Sequence, residues 1–109
     1  MKTALQVVVI FSLFFTVGRL VAENLPPNIS QKDKRFSMQS LTVKVGDSVT
    51  FTNDDPFFHN VFSLSPASTF DLGSYPQGES KSVTFDEAGE VHIECAIHPS
   101  MRMVIEVEE

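Results

Sequence analysis

The sequence is poor in cysteine: only Cys95 occurs among its 109 residues. A single cysteine excludes an internal disulfide, and its position near the C-terminus excludes a lipid-attachment cysteine at the start of the chain. A free thiol is a liability in an oxidising compartment, so an exported chain with one cysteine is expected to occupy its sulfur in another way. A bound metal would do so.

Basic residues are also scarce, with 8 Lys and Arg against 14 Asp and Glu and a formal net charge of −6. Nucleic acids bind proteins that present many cations, so this acidic balance argues against a nucleic-acid partner. No sequence repeat and no stretch with a convincing helical period follows Ala22. The composition therefore favours one small domain built from strands.

The one long apolar run, Ala4 to Val17, is shorter than the roughly twenty residues of a membrane-spanning helix. Lys2 before it and Ala22 after it complete the pattern of an export signal over residues 1–22. A retained membrane anchor is the alternative. Cleavage after Ala22 would remove Lys2 and Arg19 and no acid, changing the formal charge to −8. We therefore expect a periplasmic protein.

The exported part divides into a polar leader and a strand-rich domain. Residues 23–35 contain Pro26-Pro27 and are expected to be an extended leader that joins no core, so the domain is assigned to 36–109. Alternating residues at 41–45 and 48–52, separated by Gly46-Asp47, predict a hairpin.

The final hairpin has the clearest strand pattern in the sequence. Val91, Ile93 and Cys95 share one face of its first strand, and the returning strand alternates in the same way at Met103, Ile105 and Val107. Seven or eight short strands with frequent turns predict an all-β, antiparallel Greek-key sandwich whose loops at one end carry the binding residues.

The loop of that hairpin contains three metal-binding side chains. Cys95, His98 and Met101 follow one another at intervals of three, and His59 lies in a loop 36 residues upstream. Two imidazoles, a thiolate and a weak axial thioether are the ligands of electron-transfer copper sites. Zinc would be expected to recruit stronger ligands than methionine.

Other residues compete for these roles. His92 points away from Cys95 by strand alternation and is interpreted as a solvated strand residue. Met103 is the rival axial ligand, but its parity with Ile105 places it in the core. Asp54 and Asp55, which precede a proline, are interpreted as turn residues.

The motif Cys95-x-x-His98-Pro99-x-Met101, with His59-Asn60 upstream, resembles the cupredoxins, the small blue copper proteins. The short ligand loop is more similar to that of amicyanin than to that of plastocyanin. The resemblance implies one copper ion on His59, Cys95, His98 and Met101, and Asn60 tying the two ligand loops together. Glu94 and Met103 depart from the usual pattern but remove no ligand.

The resemblance further implies a one-electron carrier that meets transient redox partners, such as a cytochrome or a dehydrogenase, as a monomer. Phe57 or Phe58 would form part of an apolar patch beside His98, and the C-terminal acids Glu106, Glu108 and Glu109 could steer a basic partner. Four protein ligands leave no open copper position, so an enzyme is not expected. The alternative function is copper delivery or protection.

Overall fold

Nine strands in two sheets make up the computed structural model, which describes residues 25–109. The predicted signal segment 1–22 lies outside the described residues. The strands are β1 (Asn28–Lys32), β2 (Arg35–Phe36), β3 (Ser40–Lys44), β4 (Ser48–Asn53), β5 (His59–Ser65), β6 (Ser68–Tyr75), β7 (Ser80–Thr84), β8 (Gly89–Glu94) and β9 (Arg102–Glu108). The part of the chain described here has no helix long and apolar enough to cross a membrane.

The two sheets have the orders β2-β1-β4-β7 and β3-β9-β8-β5-β6. The predicted all-β sandwich is confirmed. Its pairing is not wholly antiparallel, however, because β1 runs parallel to β4 and β3 runs parallel to β9.

The predicted hairpin of β3 and β4 is wrong, because these strands belong to different sheets. The chain crosses between the sheets at Gly46, whose φ of +94° favours glycine. The Gly46 amide donates to the carbonyl of Phe85 rather than across a hairpin. Both strands bury one face in the shared core, so their alternation is the same in either arrangement.

The segment predicted as a leader contributes a strand to the domain. Ile29 and Gln31 of β1 are fully buried, and β1 pairs in register with β4 from Asn28 to Gln31. The assignment of 23–35 to a leader outside the core is therefore wrong for β1. One of the two inward residues of β1 is a glutamine, so β1 lacks the apolar alternation that would identify it as a strand in the sequence.

The final hairpin forms as predicted. In β8 and β9, Val91 pairs with Ile105 and Ile93 with Met103, and all four side chains are buried. The start of β5, the end of β8 and the start of β9 lie at the same end of their sheet. Residues 95–101 therefore join β8 to β9 at the end where His59 begins β5.

Candidate metal centre

The structure brings together His59, Cys95 and His98. One possible ligand atom from each residue lies within 4.8 Å of the other two. His59 is the first residue of β5 and Cys95 directly follows β8, so two neighbouring strands of one sheet fix their positions. His59 and Cys95 are buried, and His98 is half-buried.

The orientation of His59 is set by Asp55. His59 Nε2 lies 2.6 Å from Asp55 Oδ2, and both side chains are buried. A carboxylate accepts the Nε2 proton and leaves the lone pair on Nδ1. His59 Nδ1 lies 3.8 Å from Cys95 Sγ. The nitrogen that faces the sulfur is thus the one available to a metal.

Asp55 also fastens another turn to this site. Its carboxylate accepts the backbone N–H groups of Asp33 at 2.8 Å and Lys34 at 3.0 Å. Burial alone would raise the pKa of Asp55, but the hydrogen bonds from His59, Lys34 and Asp33 outweigh it and lower the pKa below 3.8. The sequence interpretation of Asp55 as an ordinary turn residue missed this role, since its four-residue spacing from His59 is informative only in a helix.

His98 presents an unused donor atom. Its Nδ1 is buried and has no hydrogen-bond partner among the described residues. Burial lowers the pKa of His98, with further lowering from His59 and Lys34. The ring stands 5.0 Å from that of His59 and 5.1 Å from that of Phe57, measured between centroids. A neutral imidazole with a free nitrogen is ready to ligate a metal.

Cys95 is 1% exposed. This burial keeps the sulfur of Cys95 away from solvent. Burial also raises the pKa of Tyr75, and the nearby Cys95 raises it further, so the phenol remains protonated. The Tyr75 hydroxyl oxygen lies 2.9 Å from Gln31 Oε1 and 3.0 Å from the Phe51 carbonyl oxygen, so its single proton has two acceptors within reach.

Asn60 connects the two loops that carry the cluster. Its Oδ1 accepts the N–H of Ala96, the residue after Cys95, at 2.7 Å. Its Nδ2 donates to Asp71 Oδ1 at 3.1 Å, and that oxygen also accepts the Gly73 N–H at 2.8 Å. The hydrogen bond to Ala96 joins the start of β5 to the cysteine loop. Asp71 was not singled out in the sequence.

Both candidate methionines are buried, but they lie in different elements. Met101 precedes β9, and its N–H donates to the His98 carbonyl at 2.9 Å, closing the turn that carries His98. Met103 lies within β9 opposite Ile93. The turn at Met101 favours this residue as the fourth ligand, whereas Met103 packs in the sheet.

His92 lies outside the cluster, as strand alternation predicted. Its side chain is 59% exposed, and its Nε2 lies 3.0 Å from Glu90 Oε1. Glu94, which precedes the cysteine, faces Arg102 with 3.7 Å between its Oε1 and Arg102 Nε.

The donor set of the cluster fits copper. The cluster offers two imidazoles and a thiol, which are the borderline and soft ligands that copper prefers. His59 and Cys95 are buried, and His98 has a buried nitrogen without a hydrogen-bond partner among the described residues. The thioether of Met101, which ends the turn that carries His98, would add a weak fourth donor.

Comparison with known proteins agrees with this chemistry. Residues 27–108 match the model of copper binding proteins of the plastocyanin/azurin family. Amicyanin from Paracoccus denitrificans is 33% identical over 81 residues, covering 68% of this chain and 59% of that protein. The methylamine utilization protein MauL from Methylorubrum extorquens is 32% identical over 68 residues, covering 62% of this chain and 60% of MauL. The chain thus spans less than two thirds of these relatives.

Solved structures share the fold. A mutant of amicyanin in its Cu(I) form superposes with a TM-score of 0.71 at 28% identity, covering 76% of this chain and 82% of that one. The Cu-containing nitrite reductase of Thermus scotoductus gives a TM-score of 0.73 at 28% identity, but the match covers 78% of this chain and only 23% of the reductase. The sequence resemblance to cupredoxins is confirmed: the chain belongs to the plastocyanin/azurin family of copper-binding proteins.

Proposed function

We propose that this protein is an exported blue copper protein that carries single electrons, with copper held by His59, Cys95, His98 and Met101. The observation that carries the proposal is the convergence of two histidines and the only cysteine within 4.8 Å at one end of a rigid sandwich. Copper supplies the one-electron Cu(I)/Cu(II) couple. The residues supply a site whose shape is set before the metal arrives.

Several contacts hold that shape. Asp55 fixes the His59 ring through Nε2, and Asn60 fixes the backbone after Cys95. The Met101 N–H closes the turn of His98. Ligands held in this way need little rearrangement when the charge of the metal changes, and this favours fast electron transfer.

Two exposed apolar residues that adjoin the proposed ligands in the sequence support the same function. Phe58 is 55% exposed and Ile97 46% exposed, and these residues flank His59 and His98 in the sequence. Phe57 packs instead against both imidazoles. The half-buried His98 ring, which follows exposed Ile97 in the sequence, would give a short route for electrons to a transiently bound partner.

The solved amicyanin structures that share this fold include both reduced Cu(I) and oxidized forms. This supports redox cycling in preference to copper delivery or protection. Four protein ligands would leave no open position for a substrate, which supports a carrier over an enzyme. Export to the periplasm rests on the sequence of residues 1–22.

The test is the absorption spectrum of the protein loaded with Cu(II). We expect an intense visible band from cysteine-to-copper charge transfer, its loss in Cys95→Ser, and its retention in His92→Gln. Reversible one-electron voltammetry without loss of metal would support the carrier. A colourless Cu(II) protein would contradict the copper site, and rapid surrender of copper to a chelator would favour copper handling.

A further inference from the structure

A buried negative charge lies directly behind one of the proposed copper ligands. Asp55 Oδ2 lies 2.6 Å from His59 Nε2, and the side chains of these two residues are only 4% and 0% exposed. The other ring nitrogen, His59 Nδ1, lies 3.8 Å from Cys95 Sγ. A single imidazole ring therefore separates the Asp55 carboxylate from a metal bound at Nδ1.

Hydrogen bonding keeps this carboxylate ionised. Its Oδ1 accepts the Asp33 N–H at 2.8 Å, and its Oδ2 accepts the Lys34 N–H at 3.0 Å as well as the ring N–H of His59. Both oxygens face N–H groups, so a proton on either oxygen would have to point toward one of these donors. A metal on Nδ1 of His59 leaves the ring proton on Nε2, so metal binding preserves this pattern of donors.

The turn that supplies two of the donors is itself in an unfavourable conformation. Asp33 and Lys34 have positive φ values of 53° and 57°, which cost free energy for residues other than glycine. Both of their N–H groups donate to Asp55. The fold thus accepts a local cost at two consecutive residues and in return stabilises an anion beside His59.

A buried charge acts on a nearby metal more strongly than an exposed charge does. Water screens the exposed side chains of Asp33, Lys34 and Asp54, whereas buried Asp55 is surrounded by protein of lower dielectric constant. Cu(II) carries one more positive charge than Cu(I), so an anion behind His59 stabilises Cu(II) more than Cu(I). The hydrogen bond from Nε2 also raises the basicity of the imidazole, which favours the same oxidation state.

We propose that Asp55 is a positioning residue that acts through His59 to bind Cu(II) in preference to Cu(I), and so lowers the reduction potential of the copper site. This proposal rests on the electron-carrier function proposed above. A lower potential makes the reduced protein a stronger electron donor. The other charges around the site are the same in the wild type and in a variant of Asp55, so one substitution isolates the contribution of this carboxylate.

The experiment compares Asp55→Asn with Asp54→Asn in the full chain. Each substitution removes one carboxylate charge at adjacent positions, but Asp54 is exposed and its carboxylate accepts from Ser30 rather than from His59. The reduction potential of each copper-loaded protein is measured by voltammetry. The affinities for Cu(II) and Cu(I) are measured separately by competition with chelators, and Zn(II) serves as a divalent ion without redox chemistry.

The two oxidation states should respond differently to the loss of this charge. We expect Asp55→Asn to weaken the binding of Cu(II) and Zn(II) by about 10–100-fold. Cu(I) has half the charge, so its affinity should fall by only about 3–10-fold. The remaining difference of about 3–10-fold raises the reduction potential by about 30–60 mV, since a tenfold ratio corresponds to about 59 mV for one electron. Asp54→Asn should shift the potential much less, because water screens its charge.

An unchanged or lower potential in Asp55→Asn would overturn the proposal, as would equal shifts for the two aspartates. Equal losses of Cu(I) and Cu(II) affinity would also overturn it, because they would limit Asp55 to a structural role. A wild type that gives no blue Cu(II) spectrum or does not cycle reversibly refutes the carrier function itself. Normal cycling with a potential that does not depend on Asp55 refutes only the role of this residue.

Two further measurements cover the case in which Asp55→Asn fails to fold. Both aspartate substitutions are then made in Lys34→Gly, which relieves one left-handed residue and keeps the N–H group that donates to Asp55. In the diamagnetic Zn(II) form of the wild type, the His59 Nε2–H resonance should lie downfield and exchange slowly with solvent. Its absence would overturn the proposal without any variant.

Discussion

His59 Nε2 and Asp55 Oδ2 lie 2.6 Å apart in the interior, and this contact connects the metal centre to a turn of the other sheet. Asp55 accepts three N–H groups, from His59, Asp33 and Lys34. One carboxylate thereby aims a ligand nitrogen and offsets the cost of two left-handed residues. The geometry of the site and the closure of the sandwich depend on the same side chain.

Replacement of this carboxylate should destabilise the protein. In Asp55→Asn the amide nitrogen cannot accept a hydrogen bond, so at least one of the three N–H groups loses its acceptor. We expect a loss of about 1.5–3 kcal/mol in the free energy of unfolding, measured with urea on the metal-free protein. Asp86→Asn, which changes an exposed acid in the loop before β8, is the control and should cost less than about 0.5 kcal/mol.

The same contact predicts a dependence of stability on pH. The pKa of Asp55 is lower in the folded protein than its ordinary value of 3.8, so folding favours the ionised form. The stabilisation is fully present above the unfolded pKa and is lost as the pH falls through the folded pKa. Urea midpoints of the metal-free protein below about pH 4 should therefore fall more steeply with acid in the wild type than in Asp55→Asn. Parallel slopes would contradict this assignment.

Substitutions of the two methionines should have different effects on the copper spectra and on stability. Met101→Ala is expected to alter the absorption and spin-resonance spectra of the Cu(II) protein, because it removes the proposed axial thioether. Met103→Ala should leave these spectra intact while lowering the free energy of unfolding by about 2–5 kcal/mol, as expected for a buried side chain in β9. Met103→Leu keeps most of the volume and controls for loss of packing. A changed spectrum in Met103→Leu together with an unchanged one in Met101→Ala would reverse the assignment.

Asn60 should contribute to the stability and to the reduction potential because it connects the two ligand loops. Asn60→Ala leaves the Ala96 N–H without its acceptor, with an expected cost of about 1–3 kcal/mol and a shift in reduction potential. Asp71→Asn retains an oxygen that can accept from Asn60 Nδ2, so its effect on stability and potential should be smaller. Equal effects of the two substitutions would indicate that Asn60 acts mainly through Asp71.

The parts of the site that could be predicted are those whose residues lie close together in the sequence. Cys95, His98 and Met101 occupy one loop, so their proximity needs only a hairpin, and β8 and β9 show clear alternation. The position of His59 could be predicted only from the fold, because the sandwich has to bring two separate loops together. Asp55 could not be recognised, because its burial depends on the turn at Asp33 and Lys34 from the other sheet.

The fold was harder to predict where the chain changes sheets. Alternation reports that β3 and β4 each bury one face, but it does not report which sheet each strand joins. β1 was missed because Gln31 occupies an inward position, where its Oε1 accepts a hydrogen bond from the Tyr75 hydroxyl. A buried polar residue whose hydrogen-bond partner lies far along the chain leaves no local signal.

The position of β9, the last strand of the domain, has a consequence for how the protein matures. β9 is an interior strand, with β8 on one side and β3, from the beginning of the domain, on the other. Pairing of Ser40 with Val104 closes a long loop, a step that is slow compared with local contacts. The loop with Cys95, His98 and Met101 also becomes anchored at both ends only when β9 is in place. A chain that stops short of β9 would therefore lose both an interior strand and a defined metal site, so that stable copper uptake reports a completed fold.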